Sequence, residues 1–196
     1  MHRFIVVLLS CFLGIAATAV HAVDESSVPE NKRTEFSLYL TPDEAWEMLQ
    51  AKPGKILFLD VRSRAEATYV GMPIAVDGLV PFMEHDPFWS WDNKRGTYAV
   101  EPLQNFIPEA NRRLQEKGLD KNDMVFVMCR SGTRSAMAAK RLKEDGYTKV
   151  YNLVEGFEGD TSKTGPNKGQ RVVNGWKNAG LPWTYKLDKN KMYFEQ

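Results

Sequence analysis

Met124-Val125-Phe126-Val127-Met128-Cys129-Arg130-Ser131-Gly132-Thr133-Arg134-Ser135 is the stretch on which the fold turns. Its first five residues form an unbroken apolar run with β-branched and aromatic side chains, the pattern of a strand buried on both faces, and Ser135 to Lys143 has helical composition. Cys129 stands at the junction. In an open α/β sheet, ligands bind outside the carboxyl ends of the strands, so a nucleophile here occupies a functional position. Four residues separate Cys129 from Arg134. In so tight a turn successive backbone N–H groups can converge on one point, and the first turn of the following helix adds unpaired donors and its positive dipole end. Gly132 suits a position needing unusual backbone angles, and Ser131, Thr133 and Ser135 bring hydroxyl donors. Arg130 and Arg134 bring forked donors suited to a sulfonate or phosphate.

The flanking sequence alternates strand and helix signals. Ile56-Leu57-Phe58-Leu59 reads as a second buried strand, after the turn Lys52-Pro53-Gly54 and before Asp60-Val61-Arg62. Thr41-Pro42-Asp43-Glu44 and Ser63-Arg64-Ala65-Glu66 are capping boxes. The first predicts a helix to about Gln50 with Ala45, Met48 and Leu49 as its buried stripe; the second predicts a shorter helix. A strand is expected near Ile74 to Val76. Leu103, Phe106, Ile107, Ala110 and Leu114 mark one face of a helix closed by Gly118, and Val150-Tyr151-Asn152-Leu153 is a last strand. This alternation predicts an α/β fold with a central, mostly parallel sheet and helices on both faces.

The first 22 residues carry one basic residue, Arg3, then an apolar run, then small residues ending at Ala22, the form of a cleaved secretory signal peptide. The run falls short of the roughly 20 residues a spanning helix needs. The chain is therefore expected in the periplasm or secreted, with no membrane association after cleavage. The mature 174 of 196 residues would carry 25 basic and 25 acidic side chains, since Arg3 is the one charge lost. Zero net charge argues against nucleic acid as a partner.

Cleavage removes Cys11, His2 and His21, leaving Cys129 and His85 alone of their kinds. One cysteine makes no internal disulfide, and one Cys with one His cannot build the usual zinc site, so no metal or cofactor is expected. A buried, inert thiol is the commoner fate of a free cysteine. The flanking Arg130, Gly132 and Arg134 favour a reactive one, because electropositive settings favour the thiolate.

At this point the sequence resembles the rhodanese family of sulfurtransferases. Cys129 to Ser135 is similar to the active-site loop of its single-domain thiosulfate sulfurtransferases, and Leu59-Asp60-Val61-Arg62 resembles the family's Asp-x-Arg segment. The likeness spans roughly residues 38 to 160. It implies the rhodanese-like α/β fold and sulfur transfer from thiosulfate or a similar donor to cyanide or a thiol. Cys129 would be the nucleophile and persulfide carrier, residues 130–135 would bind the donor, and Asp60 with Arg62 would form a supporting pair beneath the site. Where the family commonly has Gly-His-Ile-Pro-Gly-Ala, this chain has Gly71-Met72-Pro73-Ile74-Ala75.

Phosphatase or arsenate reductase chemistry on the same fold uses a loop one residue longer, so the spacing here favours sulfur. A cysteine protease would need His85 as base; it lies in an irregular stretch and is expected to be an exposed loop residue. A rhodanese-like carrier or binding module without turnover is the remaining alternative. The expected organisation is a flexible lead-in at 23–35, the domain at 36–187 and a tail at 188–196. An insertion at 82–100, holding a packed aromatic group of Phe88, Trp89 and Trp91, and an extension at 161–183 could wall the pocket or meet an exported protein partner.

Overall fold

The computed structural model describes residues 23–195; the expected signal peptide at 1–22 lies outside the described residues. In chain order the main elements are β1 (Tyr39–Leu40), α1 (Pro42–Ala51), β2 (Ile56–Asp60), α2 (Arg64–Val70), β3 (Met72–Pro73), β4 (Gly78–Leu79) and β5 (Met83–His85). There follow β6 (Trp91–Asp92), β7 (Thr97–Tyr98), β8 (Val100–Pro102), α3 (Phe106–Glu116), β9 (Met124–Met128), α4 (Thr133–Glu144), β10 (Lys149–Leu153) and β11 (Trp183–Thr184).

Five strands form one parallel sheet in the order β1-β10-β9-β2-β4. The apolar runs of β2 and β9 are its centre, paired from Ile56 with Met124 to Asp60 with Met128. Alternate residues point to opposite faces. Leu57, Leu59, Val125 and Val127 pack with Ala110 and Leu114 of α3 and Ala138, Ala139 and Leu142 of α4. Ile56, Phe58, Phe126 and Met128 pack on the other face with Ala45 of α1, Ala67 of α2 and Trp176. Both faces are covered, which is what continuous apolar strands require.

Both capping boxes form. Thr41 and Ser63 accept from the amides of Glu44 and Glu66, and each glutamate reaches back to its cap. Pro108 lies in the first turn of α3, and Gly118 ends that helix at φ 69°.

Several expectations are corrected. Ile74 is exposed rather than in a strand; the chain pairs on either side of it, as β3 and β4. Residues 23–35, expected as a lead-in, are mostly exposed but anchored at two points. Val28 is buried, Lys32 pairs with Asp160 at 2.9 Å, and the Lys32 carbonyl accepts from Asn152 Nδ2 at 2.8 Å. The 161–183 extension places Trp176 in the core, and β11 pairs antiparallel with β3. Of the expected tail, the described residues 188–195 are pinned where Arg113 donates to the carbonyls of Asn190 and Met192 at 2.6 and 2.8 Å. Residues 82–102 form two antiparallel pairs, β5 with β8 and β6 with β7. Trp89 and Trp91 pack edge-on against Tyr98, but the group is not buried: Phe88 is 90 % exposed and Trp91 56 %.

Candidate active site

The site lies at the carboxyl ends of β9 and β2, the central strands. Cys129 follows β9, and Gly132, at φ 99° and ψ −20°, turns the chain into α4. Any side chain there would be strained, and its Cβ would lie 2.3 Å from the Val154 carbonyl oxygen. Cys129 Sγ accepts from the Gly132 amide at 3.2 Å and from Ser135 Oγ at 3.3 Å. Its neighbours are therefore donors.

The outer side of the loop is tied down by the strap of residues 156–159. The Cys129 carbonyl accepts from the Phe157 amide at 2.8 Å, and the Arg130 carbonyl from the amides of Glu158 and Gly159 at 3.0 and 3.1 Å. In a trans peptide the N–H points opposite the C=O. Carbonyls turned outward to the strap thus turn the amides of Arg130 and Ser131 inward. Asn152 Nδ2 holds the Gly132 carbonyl at 3.0 Å, which orients the Thr133 amide in the same way. Among the described residues these three amides have no hydrogen-bond acceptor, so the loop is a nest of donors above the sulfur at the N-terminus of a 12-residue helix.

The two loop arginines have different roles. Arg134 is held by Glu66 in a two-pronged pair, Nη1 at 2.7 Å and Nη2 at 2.5 Å. Burial alone would raise the Glu66 pKa, but the hydrogen bonds and charge of Arg134, the Ser63 amide and the charge of Arg62 hold it down at about 2. For Arg134, burial opposes its charge and Glu66 outweighs it, raising its pKa above the ordinary value. Arg134, expected to bind the donor, is thus paired with Glu66 of α2 while also lining the cavity beside the loop. Arg130 is exposed and has no carboxylate partner among the described residues.

Asp60 and Arg62 form the expected pair. Arg62 donates through Nε at 3.0 Å and Nη2 at 2.6 Å to Asp60, and through Nη2 to the Gly71 carbonyl at 2.7 Å; both side chains are fully buried. The guanidinium lies 4.1 Å from the centroid of Phe157, the strap residue bonded to the Cys129 carbonyl. Ser131 is half-buried, and Thr133 Oγ1 accepts from Asn31 Nδ2 at 3.5 Å.

Three residues near the site have contacts that the sequence did not show. Glu66 carried a visible signal, as the end of a capping box, but its second role depends on a partner 68 positions away. His85, expected on an exposed loop, sits on β5 with 18 % of its side chain exposed and stacks on Trp89. It lines a cavity of about 350 Å³ with Arg130 and Arg134. Arg171, from the extension, donates to the Gly159 carbonyl at 2.6 Å. Burial lowers its pKa and the charge of Arg130 lowers it further, against Glu158, Asp160 and Cys129. Distance in sequence hides both.

Comparisons with known proteins agree with this geometry. An uncharacterised protein of Rickettsia rickettsii is 30 % identical over 141 residues, covering 72 % of this chain and 92 % of its own. A thiosulfate sulfurtransferase of Coxiella burnetii is 36 % identical over 64 residues, 32 % of this chain and 60 % of its own. Among solved structures, Rv0390 from M. tuberculosis superposes with a TM-score of 0.55 at 32 % identity, covering 75 % of this chain and 96 % of that one. The rhodanese-like domain profile matches residues 41–163, from the cap of α1 past the strap that holds the cysteine loop. By fold, loop and profile together, the chain belongs to the rhodanese-like domain family.

Proposed function

We propose that the protein is a sulfurtransferase that carries a sulfane sulfur on Cys129. The observation that supports this most is the sulfur itself, held by the Gly132 amide and the Ser135 hydroxyl at the floor of a donor-lined loop. Donors of this kind stabilise charge on sulfur without reorganising during reaction. The thiolate attacks the outer sulfur of thiosulfate, the S–S bond of the donor breaks, and sulfite leaves with its electron pair. The new persulfide sulfur stands about 2 Å further out, among the inward amides of Arg130, Ser131 and Thr133. A thiol or cyanide then takes that sulfur and returns the thiolate. Arg130 is the cation that meets the anionic donor, and Arg134 acts at one remove by fixing the loop.

The reading includes export, with residues 1–22 as a signal peptide and the mature protein acting in the periplasm or outside the cell. Purified mature protein should form thiocyanate from thiosulfate and cyanide, and Cys129→Ser should abolish it. Phosphatase activity on an aryl phosphate with no thiocyanate would refute the assignment.

A further inference from the structure

Ser135 has two acceptors within reach of its hydroxyl, Cys129 Sγ at 3.3 Å and the Gly132 carbonyl oxygen at 3.1 Å. A hydroxyl carries one proton, and sulfur is the weaker acceptor. A serine in the first turn of a helix commonly bonds back to a carbonyl three or four residues earlier, so the Gly132 oxygen competes with the sulfur. The outcome depends on how far that oxygen is already occupied. It accepts from the Ala136 amide at 3.2 Å, the first helical bond of α4, and from Asn152 Nδ2 at 3.0 Å. A carbonyl oxygen has two lone pairs. These two donors fill them, and the Ser135 proton is left for the sulfur.

Asn152 lies on β10 and is fully buried. The second proton of its amide goes to the Lys32 carbonyl at 2.8 Å. Both neighbours of Nδ2 are carbonyl oxygens, which fixes the nitrogen end of the side chain toward them. Its Oδ1 has no hydrogen-bond partner among the described residues. A buried acceptor without a partner lowers stability, a cost that an apolar side chain would avoid, so the two donations are what the residue contributes. Its outer anchor is itself tied down. Lys32 Nζ donates to both carboxylate oxygens of Asp160 at 2.9 and 3.0 Å, and the lysine stem covers Gly132, where a Cβ would lie 3.0 Å from Lys32 Cδ. Lys32 precedes residues 41–163, the span of the rhodanese-like domain, so this anchor comes from outside it.

We propose that Asn152 is a positioning residue for sulfur transfer, which keeps the Ser135 hydroxyl proton on Cys129 Sγ by occupying the Gly132 carbonyl. The proposal rests on the sulfur-transfer reading and deepens it by one residue. Asn152 touches no reacting atom. Without its donation the Gly132 oxygen has a free lone pair 3.1 Å from Ser135 Oγ, the hydroxyl turns to it, and the sulfur loses one of its two donors. Lys32 acts one step further out, by holding the carbonyl that takes the other amide proton.

The test is a double-mutant cycle on persulfide formation, read by mass spectrometry at Cys129 in quenched single turnovers with thiosulfate. Asn152→Ala should slow the reaction about fivefold when Ser135 is present, and only about twofold in the Ser135→Ala background, where no hydroxyl remains to be directed. The remaining twofold comes from the Thr133 amide that Asn152 also orients. Circular dichroism and thermal melts establish that each variant is folded at the assay temperature. If Asn152→Ala does not fold, Lys32→Met takes its place in the same cycle, since it keeps the stem over Gly132 and removes the pair with Asp160; its expected loss is about twofold with Ser135 present and none without it. Equal slowing in both backgrounds would make the residue a support of the fold alone and overturn the proposal. So would an unchanged rate in either single variant, Asn152→Ala or Ser135→Ala. Wild-type protein that forms no persulfide on Cys129 would overturn the sulfur-transfer reading itself, an outcome distinct from these.

Discussion

Glu66 meets Arg134 with both carboxylate oxygens, and one of those oxygens also accepts from the Ser63 amide at 3.0 Å. A single side chain thus caps α2 and braces the cysteine loop from the opposite side of the site. The pairing also divides the work of the arginines, leaving Arg130 open toward the cavity and Arg134 fixed.

Glu66 gives the first prediction. Its folded pKa of about 2 lies below its ordinary 4.5, so its stabilisation is present above about pH 4.5 and is lost as pH falls toward 2. The shift corresponds to roughly 3 kcal/mol. Glu66→Gln should therefore cost on the order of 2–3 kcal/mol at neutral pH, because Arg134 is left half-buried without a counter-charge. Urea unfolding of both proteins should show the gap narrowing between about pH 5 and about pH 2.

Ser135→Ala removes one of the two donors on Sγ while keeping a good helix former in α4. The rate of persulfide formation should fall about tenfold, less than for a main oxyanion-hole donor because sulfur is the weaker acceptor. Single-turnover kinetics with thiosulfate checks this, and an unchanged rate would mean that the hydroxyl contributes nothing to the reaction.

Gly156 is where the strap comes closest to the loop. A Cβ there would lie 2.5 Å from the Cys129 carbonyl oxygen, the Arg130 carbonyl carbon and the Ser131 amide nitrogen, and its φ is 66°. All three are backbone atoms and cannot swing aside. Gly156→Ala should lower the melting temperature by several degrees and depress activity by more than the lost stability explains, because the loop amides are re-aimed. Calorimetry together with thiocyanate assays below the transition separates the two effects.

What was legible in the sequence was local. The caps of α1 and α2 follow from four-residue patterns, and β2 and β9 from apolar runs long enough to cross a buried sheet. The loop could be read because its donors, its glycine and its cysteine lie within seven consecutive positions, 129 to 135. Strands β3 and β4 were invisible because two residues carry no periodicity; they exist because β11 and β2 supply partners. The same reason hides Trp176, which lies in the 161–183 extension with no strand or helix period around it yet fills the core beside Phe58 at 5.5 Å. Residues 23–35 look solvated, but Val28 and the backbone of Lys32 find partners in β10 and its flank. His85 and Arg171 reach the site only through the hairpins and the extension, and no short pattern announces that.

Arg171 gives a further prediction. The side chain donates to the carbonyl of Gly159, whose amide in turn holds the Arg130 carbonyl, so it ties the extension to the strap behind the loop. Arg171→Ala should lower kcat with thiosulfate several-fold with a smaller change in KM, the signature of an effect on loop geometry rather than on donor binding. A rise in KM at constant kcat would instead make Arg171 a group that binds the donor.

In the proposed reaction Cys129 carries the sulfur. Intact-mass and peptide mapping of mature protein incubated with thiosulfate should show a gain of about 32 Da on Cys129, reversed by cyanide and absent in Cys129→Ser. No adduct on Cys129 with thiosulfate or with an organic persulfide would contradict it.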